Sequence, residues 1–294
     1  MALQHAALLD TVCLEARGAD AAEFLHAQLS RAVADLDPGS APLAAWADPR
    51  GRVRALLRLC RLPDRWLLTT PRDGADDLLK KLRMFVLRSK VTLARADVAV
   101  TALLGDDDGW LATHGAHGDT PPNRLVCRDV VTFVRVGPSY WLALGAPAAL
   151  ASLTAGLSKV SASVAALAEI ELGIPAITPA LAERFVAQML NLDELDAVSF
   201  DKGCYPGQEI IARVHNLGGV KRRARRYGAP AEPPAIGAHV LAAGSQVGEV
   251  VRSAPARSGC ELLAVVDHAA ADLPLTCAGT PLAELPLPFG VPRD

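Results

Sequence analysis

The sequence predicts an α+β protein made of two α/β units followed by a small all-β module. Three observations carry this expectation: strand-like and helix-like stretches alternate in two successive series, prolines gather at 230, 233 and 234, and no helical pattern follows them. At 294 residues the chain exceeds one typical domain of about 150 residues. A chain of this length can bury about 75% of its unfolded surface.

In the first series, Asp20 to Leu29 carries Phe24, Leu25 and Leu29 at helical spacing, with Asp20 as the expected N-cap and Glu23 as its capping-box partner. Arg52 to Cys60 and Trp66 to Thr70 read as strands across a Leu62-Pro63-Asp64-Arg65 turn. Asp73 to Phe85 reads as a helix and Ser89 to Leu93 as a strand. The second series has strands near Leu125 to Val136 and Tyr140 to Leu144, then helices near Pro147 to Leu157 and Val164 to Leu172. The uncharged run from Val136 to Ser158 has the length of a bilayer span. Gly137-Pro138-Ser139 and Gly145-Ala146-Pro147 cut it, however, so it reads as two strands and a helix that starts at Pro147. Val247 to Arg252 and Leu262 to Asp267 read as strands of a small β-barrel or sandwich, ending in a Pro-rich surface tail from Pro286. The expected boundaries are 1–45 with 125–227 for the first α/β unit, 46–124 for the second, and 228–294 for the barrel.

Composition excludes several classes. Hydrophobic residues at 51% against 21% charged rule out wholesale disorder. A net charge of −2 predicts no global attraction to polyanions, so any nucleic-acid surface has to be local. Lys221 to Arg226 is the dense basic segment, with Lys221, Arg222 and Arg223 as the expected phosphate contacts, and a solvated linker or a strand with outward charges as the alternative. The six cysteines are scattered, with no CxxC pair, and read as reduced thiols with no metal site. The first twenty residues lack a basic stretch ahead of an apolar one, so the expected compartment is the cytoplasm, with no membrane partner. His114 and His117 lie in a Gly-rich loop without neighbouring ligands, and Asp106-Asp107-Asp108 lacks the acidic spacing of a calcium loop.

The most informative stretch runs from Asn191 through Arg213. Pro206-Gly207 has the pattern of a type II turn, and Gln208 to Val214 are good helix formers. Cys204 is thereby expected on a tight loop near a helix N-terminus, which favours a thiolate, with Lys202 and Arg213 as nearby cations. A reactive or metal-seeking cysteine is one reading; a buried structural cysteine beside a turn is the other.

Lys202-Gly203-Cys204-Tyr205-Pro206-Gly207-Gln208-Glu209 matches K-G-C-Y-x-G-Q-E, and the chain resembles the YgfZ-type folate-binding proteins of the aminomethyltransferase superfamily. Phe185 to Leu192, Arg213, Gly218, Lys221-Arg222, Gly18-Ala19-Asp20, Asp48 to Arg52 and Ser89-Lys90-Val91 extend the resemblance over most of residues 10 to 265. It implies an aminomethyltransferase-like folate-binding fold, with two α/β units enclosing a channel plus a small C-terminal β-barrel. It implies tetrahydrofolate or a derivative as cofactor, and a role as accessory factor for iron–sulfur cluster assembly or repair in client enzymes, including tRNA-modifying ones. Cys204 and Lys202 are then the working residues, and Glu171, Gln188, Asn191, Tyr205, Gln208, Glu209 and Arg213 the cofactor-binding ones.

Glu171 falls where the superfamily places a carboxylate whose two oxygens accept paired N–H donors from a pterin edge. A solvated helix residue ahead of a Gly173 C-cap is the alternative. Family members can stack tryptophans on the folate where this chain has Thr11 and Ala165; Trp46, Tyr205 or Phe185 are candidate replacement contacts, with ordinary core packing as the alternative, and His215 is a candidate ligand contact near the motif. The step at Cys204 stays open among binding iron or sulfur, exchanging with a disulfide, and placing folate. Two other functions compete. One is an aminomethyltransferase with Asp48 or Asp201 managing protons, and the other a tRNA-binding module built on 221–226.

Overall fold

The computed structural model describes residues 2–292; residue 1 and the last two residues of the expected tail, 293 and 294, lie outside the described residues. The chain divides into two compact units, 1–44 with 57–165 and 45–56 with 166–294.

The first unit contains a six-stranded sheet in the order 158–159, Gln4–Ala7, Ala99–Leu104, Tyr140–Gly145, Val131–Gly137, Leu125–Arg128. The first pair is parallel and the others antiparallel. Every residue of Tyr140–Gly145 is buried, the pattern of a strand covered on both faces. Trp141, Phe133, Leu103 and Ala143 pack with Leu111 and Leu150 from the helices Asp108–Thr113 and Pro147–Leu153. The uncharged run is therefore strand, turn, strand and helix, and no helix among the described residues is long and apolar enough to cross a membrane.

A five-stranded sheet runs in the order Leu43–Ala47, Val53–Arg61, Trp66–Pro71, Thr11–Arg17, Thr92–Arg95, and residues 45–56 at the tip of its first hairpin count with the second unit. The helix Ala75–Arg83 buries Leu78, Leu79 and Leu82. Asp20 precedes the helix Ala21–Gln28 but does not cap it, so the expected capping box is absent. Its Oδ2 accepts instead from the Lys90 amide at 2.6 Å, while the Asp20 amide donates back to the Lys90 carbonyl at 3.3 Å. A fixed backbone donor across the fold has displaced the local one. The same clasp explains Gly18, which adopts φ 125° and would carry a Cβ only 2.0 Å from the Lys90 oxygen. Lys90 belongs to this clasp, and the strand expected from Ser89 begins at Thr92.

The second unit contains a seven-stranded antiparallel, nearly closed barrel in the order Thr280–Pro281, Leu275–Cys277, His239–Ala242, Ser245–Ala256, Gly259–Asp267, Arg222–Ala229, Ala283–Leu285. Tyr227, Val240, Val250, Leu262, Ala264 and Val266 form its core. The barrel starts at Arg222, so the boundary expected at 228 falls inside a strand. Likewise Ala99–Leu104 pairs with Tyr140–Gly145, so 46–124 does not stand apart as a unit. The arginines of 221–226 sit in a strand, as the alternative reading expected, but each meets an acid instead of standing free in water. Past Pro286 the tail follows the unit: Arg226 Nη1 donates to the Pro286 carbonyl at 3.2 Å, and the Phe289 ring occupies the space beside Gly173. Gly18→Ala is expected to cost about 2 kcal/mol, read as a lower midpoint in urea unfolding.

Candidate functional site

The signature loop is built on backbone contact. The Gln208 amide donates to the Tyr205 carbonyl at 3.2 Å and Gly207 adopts φ 83°, the turn that Pro206-Gly207 predicts. The helix Gln208–Asn216 follows directly. A Cβ on Gly207 would lie 2.5 Å from the Asp48 carbonyl oxygen and 2.7 Å from the Gly51 Cα, so this turn rests on a second turn, Asp48–Arg52. That second turn is fixed from inside. The Asp48 carboxylate, 6% exposed, accepts from the Arg50 and Arg52 amides at 2.9 Å each, and the Asp48 amide donates to the Arg52 carbonyl. Asp48, the expected proton manager of the aminomethyltransferase alternative, is occupied in holding this turn.

Cys204 is exposed on the loop, as is Cys127 in the first unit, whereas Cys13, Cys60, Cys260 and Cys277 are buried. Burial pushes the Cys60 thiol up to about 12 and moves Cys13 upward as well, leaving both protonated. Lys202 stands with its Nζ 4.8 Å from the centroid of the Tyr205 ring. Burial lowers its ammonium from 10.5 to about 8, and pushes the Tyr205 phenol up to about 12. The Gln208 amide nitrogen donates to the Lys202 carbonyl at 3.2 Å, closing the loop on itself. Arg213, expected as a second cation for the thiol, is ion-paired with Glu209 at 2.7 Å on the exposed helix face. Asp201 is exposed.

Behind the loop the expected ligand residues form a scaffold. Gln188 is 1% exposed and donates to the Ile211 carbonyl at 2.7 Å; Asn191, fully buried at φ 54°, donates to the Ala224 carbonyl at 2.7 Å. Arg223 is 4% exposed and makes a bidentate pair with Asp193 at 2.9 and 3.0 Å. It is therefore enclosed rather than offered to phosphate. Arg222 pairs with Asp267 at 2.6 Å, Arg225 with Glu284 at 2.7 Å, and Arg226 with Glu261 at 2.6 Å, so the strand's charge is matched by carboxylates; Lys221 is exposed.

Sequence reasoning did not find Asp193 as the partner of Arg223, nor the stack of His215 on Phe200, whose centroids lie 3.8 Å apart. The two rings help to line a cleft of about 420 Å³ with Gln188, Asp193, Glu194 and Arg223. The spacing of Phe200 and His215 about the motif was the available signal. The docking of Gly207 was foreshadowed by the shared glycines alone.

Glu171 ends the helix Ala162–Glu171 with its side chain half exposed, held loosely by Arg226 at 3.5 Å. Its oxygens retain room for outside donors. Thr11 lines a cleft of about 630 Å³ in the first unit, with Arg72, Arg95 and Lys159 on its wall, while Ala165 is buried. Trp46 and Phe185 are buried, as core residues are, with the Arg54 guanidinium 5.2 Å from the centroid of the Trp46 ring. Among the described residues no group of three His, Cys, Asp or Glu is placed to hold a metal ion.

No protein-family model matches the chain. A tRNA-modifying protein YgfZ from Sodalis glossinidius is 30% identical over 239 residues, covering 78% of this chain and 73% of the relative. The chain belongs to the YgfZ family. The YgfZ protein of Cronobacter sakazakii is 32% identical over 215 residues, covering 70% of this chain and 65% of the relative. Among solved structures, the glycine cleavage system aminomethyltransferase T from Bartonella henselae superposes with a TM-score of 0.77 over 96% of this chain and 84% of that one, at 16% identity. The fold of this YgfZ-family member is thus aminomethyltransferase-like, as its signature implied.

Two expectations follow for the site. Arg223→Ala strands Asp193 in a poorly solvated place and should cost about 3 to 5 kcal/mol, measured by urea unfolding. The Lys202 amine loses its proton near pH 8 while an open lysine holds its own to about 10.5. Competitive acetylation should therefore show Lys202 reacting first, with reactivity rising through pH 8.

Proposed function

We propose that the protein is a cytoplasmic, folate-binding accessory factor that supports iron–sulfur enzymes, including ones that modify tRNA, with Cys204 as its working thiol. The observation that carries this reading is the presentation of Cys204. A loop closed on itself and seated on a second turn holds the Cys204 thiol at the surface; four other cysteines are buried, and Cys127, the other exposed one, lies on the strand Leu125–Arg128 of the first unit. A thiol so placed suits binding iron or sulfur, or exchange with a disulfide. Lys202 stands two residues away in sequence and would act on the thiol as a cation that favours the thiolate.

Folate enters through residues whose chemistry fits it. Bound folate would supply a one-carbon carrier, and this chain's part is to hold it. The half-exposed Glu171 carboxylate has two acceptors for the paired N–H groups of a pterin edge. Gln188 and Asn191 serve this reading as scaffold, while Tyr205 and Gln208 shape the loop.

The aminomethyltransferase alternative is less well supported, because Asp48 is engaged by two backbone amides. In cells lacking the native protein, Cys204→Ser should abolish the support of iron–sulfur enzyme activity while leaving the melting temperature unchanged. Full support from that variant would overturn the thiol's role. Glu171→Ala should weaken tetrahydrofolate binding at least tenfold by calorimetry, the loss expected on removing a bidentate charged acceptor.

A further inference from the structure

The basic segment expected to meet nucleic acid has its arginines matched by acids, but a second gathering of cations in the first unit does not. Residues 84–91 connect the helix Ala75–Arg83 to the strand Thr92–Arg95. Met84, Phe85 and Leu87 stand on this segment at 69%, 45% and 89% exposure. Lys80, Arg83, Arg88 and Lys90 accompany them; all four are exposed, and none is ion-paired among the described residues. The nearby acids are engaged elsewhere: Asp77 with Lys81, Asp76 with Arg95, and Asp20 with the Lys90 amide.

The segment is also held in shape. Successive amides at Met84, Phe85 and Val86 donate to carbonyls three residues back, the Ser89 amide donates to the Val86 carbonyl at 2.8 Å, and Asp20 clasps Lys90 from both sides. The Arg83 guanidinium is fixed on the Leu93 carbonyl by two hydrogen bonds. Leu87 adopts φ 41°, a left-handed backbone that a leucine rarely takes, and presents its side chain to water. Apolar groups displayed on an ordered loop mark a contact surface.

We propose that this knuckle is a contact for single-stranded RNA, such as a tRNA loop, in which Phe85 stacks on an unpaired base while Arg88, Lys90 and Lys80 meet the flanking phosphates. Interleaved aromatic and cationic side chains without a neighbouring free acid are the chemistry of base stacking along a phosphate chain. Protein-docking surfaces are depleted in lysine, whereas Lys80 and Lys90 stand exposed beside the apolar groups here. The knuckle lies in the first unit and uses none of the residues assigned above, so it stands or falls independently of the functional reading.

The test is fluorescence anisotropy of a labelled, unmodified tRNA transcript titrated with the full chain over a range of KCl concentrations. Phe85→Ala should weaken binding about tenfold. Arg88→Gln combined with Lys90→Gln should weaken it and flatten the plot of log Kd against log salt by about 0.7 for each phosphate no longer neutralised. Lys221→Gln with Arg222→Gln, and Cys204→Ser, should leave both quantities unchanged. Thermal melts confirm that each variant folds, and the Lys90 clasp, made by its backbone amide and carbonyl, is kept in both substitutions. The proposal is overturned by unchanged affinity and slope in the knuckle variants, or by weakened binding in the Lys221 and Arg222 variant instead. Self-association that Leu87→Ser abolishes while tRNA binding persists in Phe85→Ala would also overturn it, assigning the knuckle to a second copy of the chain.

Discussion

The candidate site depends on a single close approach of backbone to backbone, the turn at Gly207 resting on the turn at Asp48–Gly51. The contact is too near for any side chain: a methyl group on Gly207 would fall inside the van der Waals shell of the Asp48 carbonyl. Everything chemical in the signature follows from it. Cys204 is on the near side of that turn, and the helix Gln208–Asn216 departs from the far side with Ile211 buried beneath it. The platform is made rigid by a carboxylate spent on two amides, so a charged group has been committed to shape rather than reaction.

Burial then differentiates the groups around the loop. Lys202 holds its ammonium over the Tyr205 ring and loses part of its hydration, which favours the neutral amine, while the ring face opposes that tendency by attracting the charged form. Desolvation prevails. Glu209 and Arg213 remain on the outer helix face, where an exposed pair contributes little to stability.

Much of this was legible in the sequence where the signal was local. Pro206-Gly207 and the helix formers after it specify a turn and a helix, and Gly137-Pro138-Ser139 followed by Pro147 specify two strands and a helix in place of a membrane span. Signals that depend on distant partners were not legible. Asp20 has the form of an N-cap, yet Lys90, which displaces its local bond, is seventy residues away. Gln188 and Asn191 carry the polarity of ligand residues, and only the fold reveals that carbonyls of Ile211 and Ala224 claim them. The arginines from 222 to 226 read as a basic patch because their acids, from Asp193 to Glu284, are scattered along the chain.

Those pairs have a consequence for assembly of the barrel. Arg222 and Asp267 stand directly opposite one another in the ladder, while Arg223 and Arg225 point to the other face and reach Asp193 and Glu284. Sliding this strand by one residue would turn every guanidinium away from its acid and bring Arg222 or Arg226 to positions that enclose charge. Each bridge adds little net stability beside its desolvation cost, but together they make every wrong alignment expensive. The ladder acts as a key cut for one register.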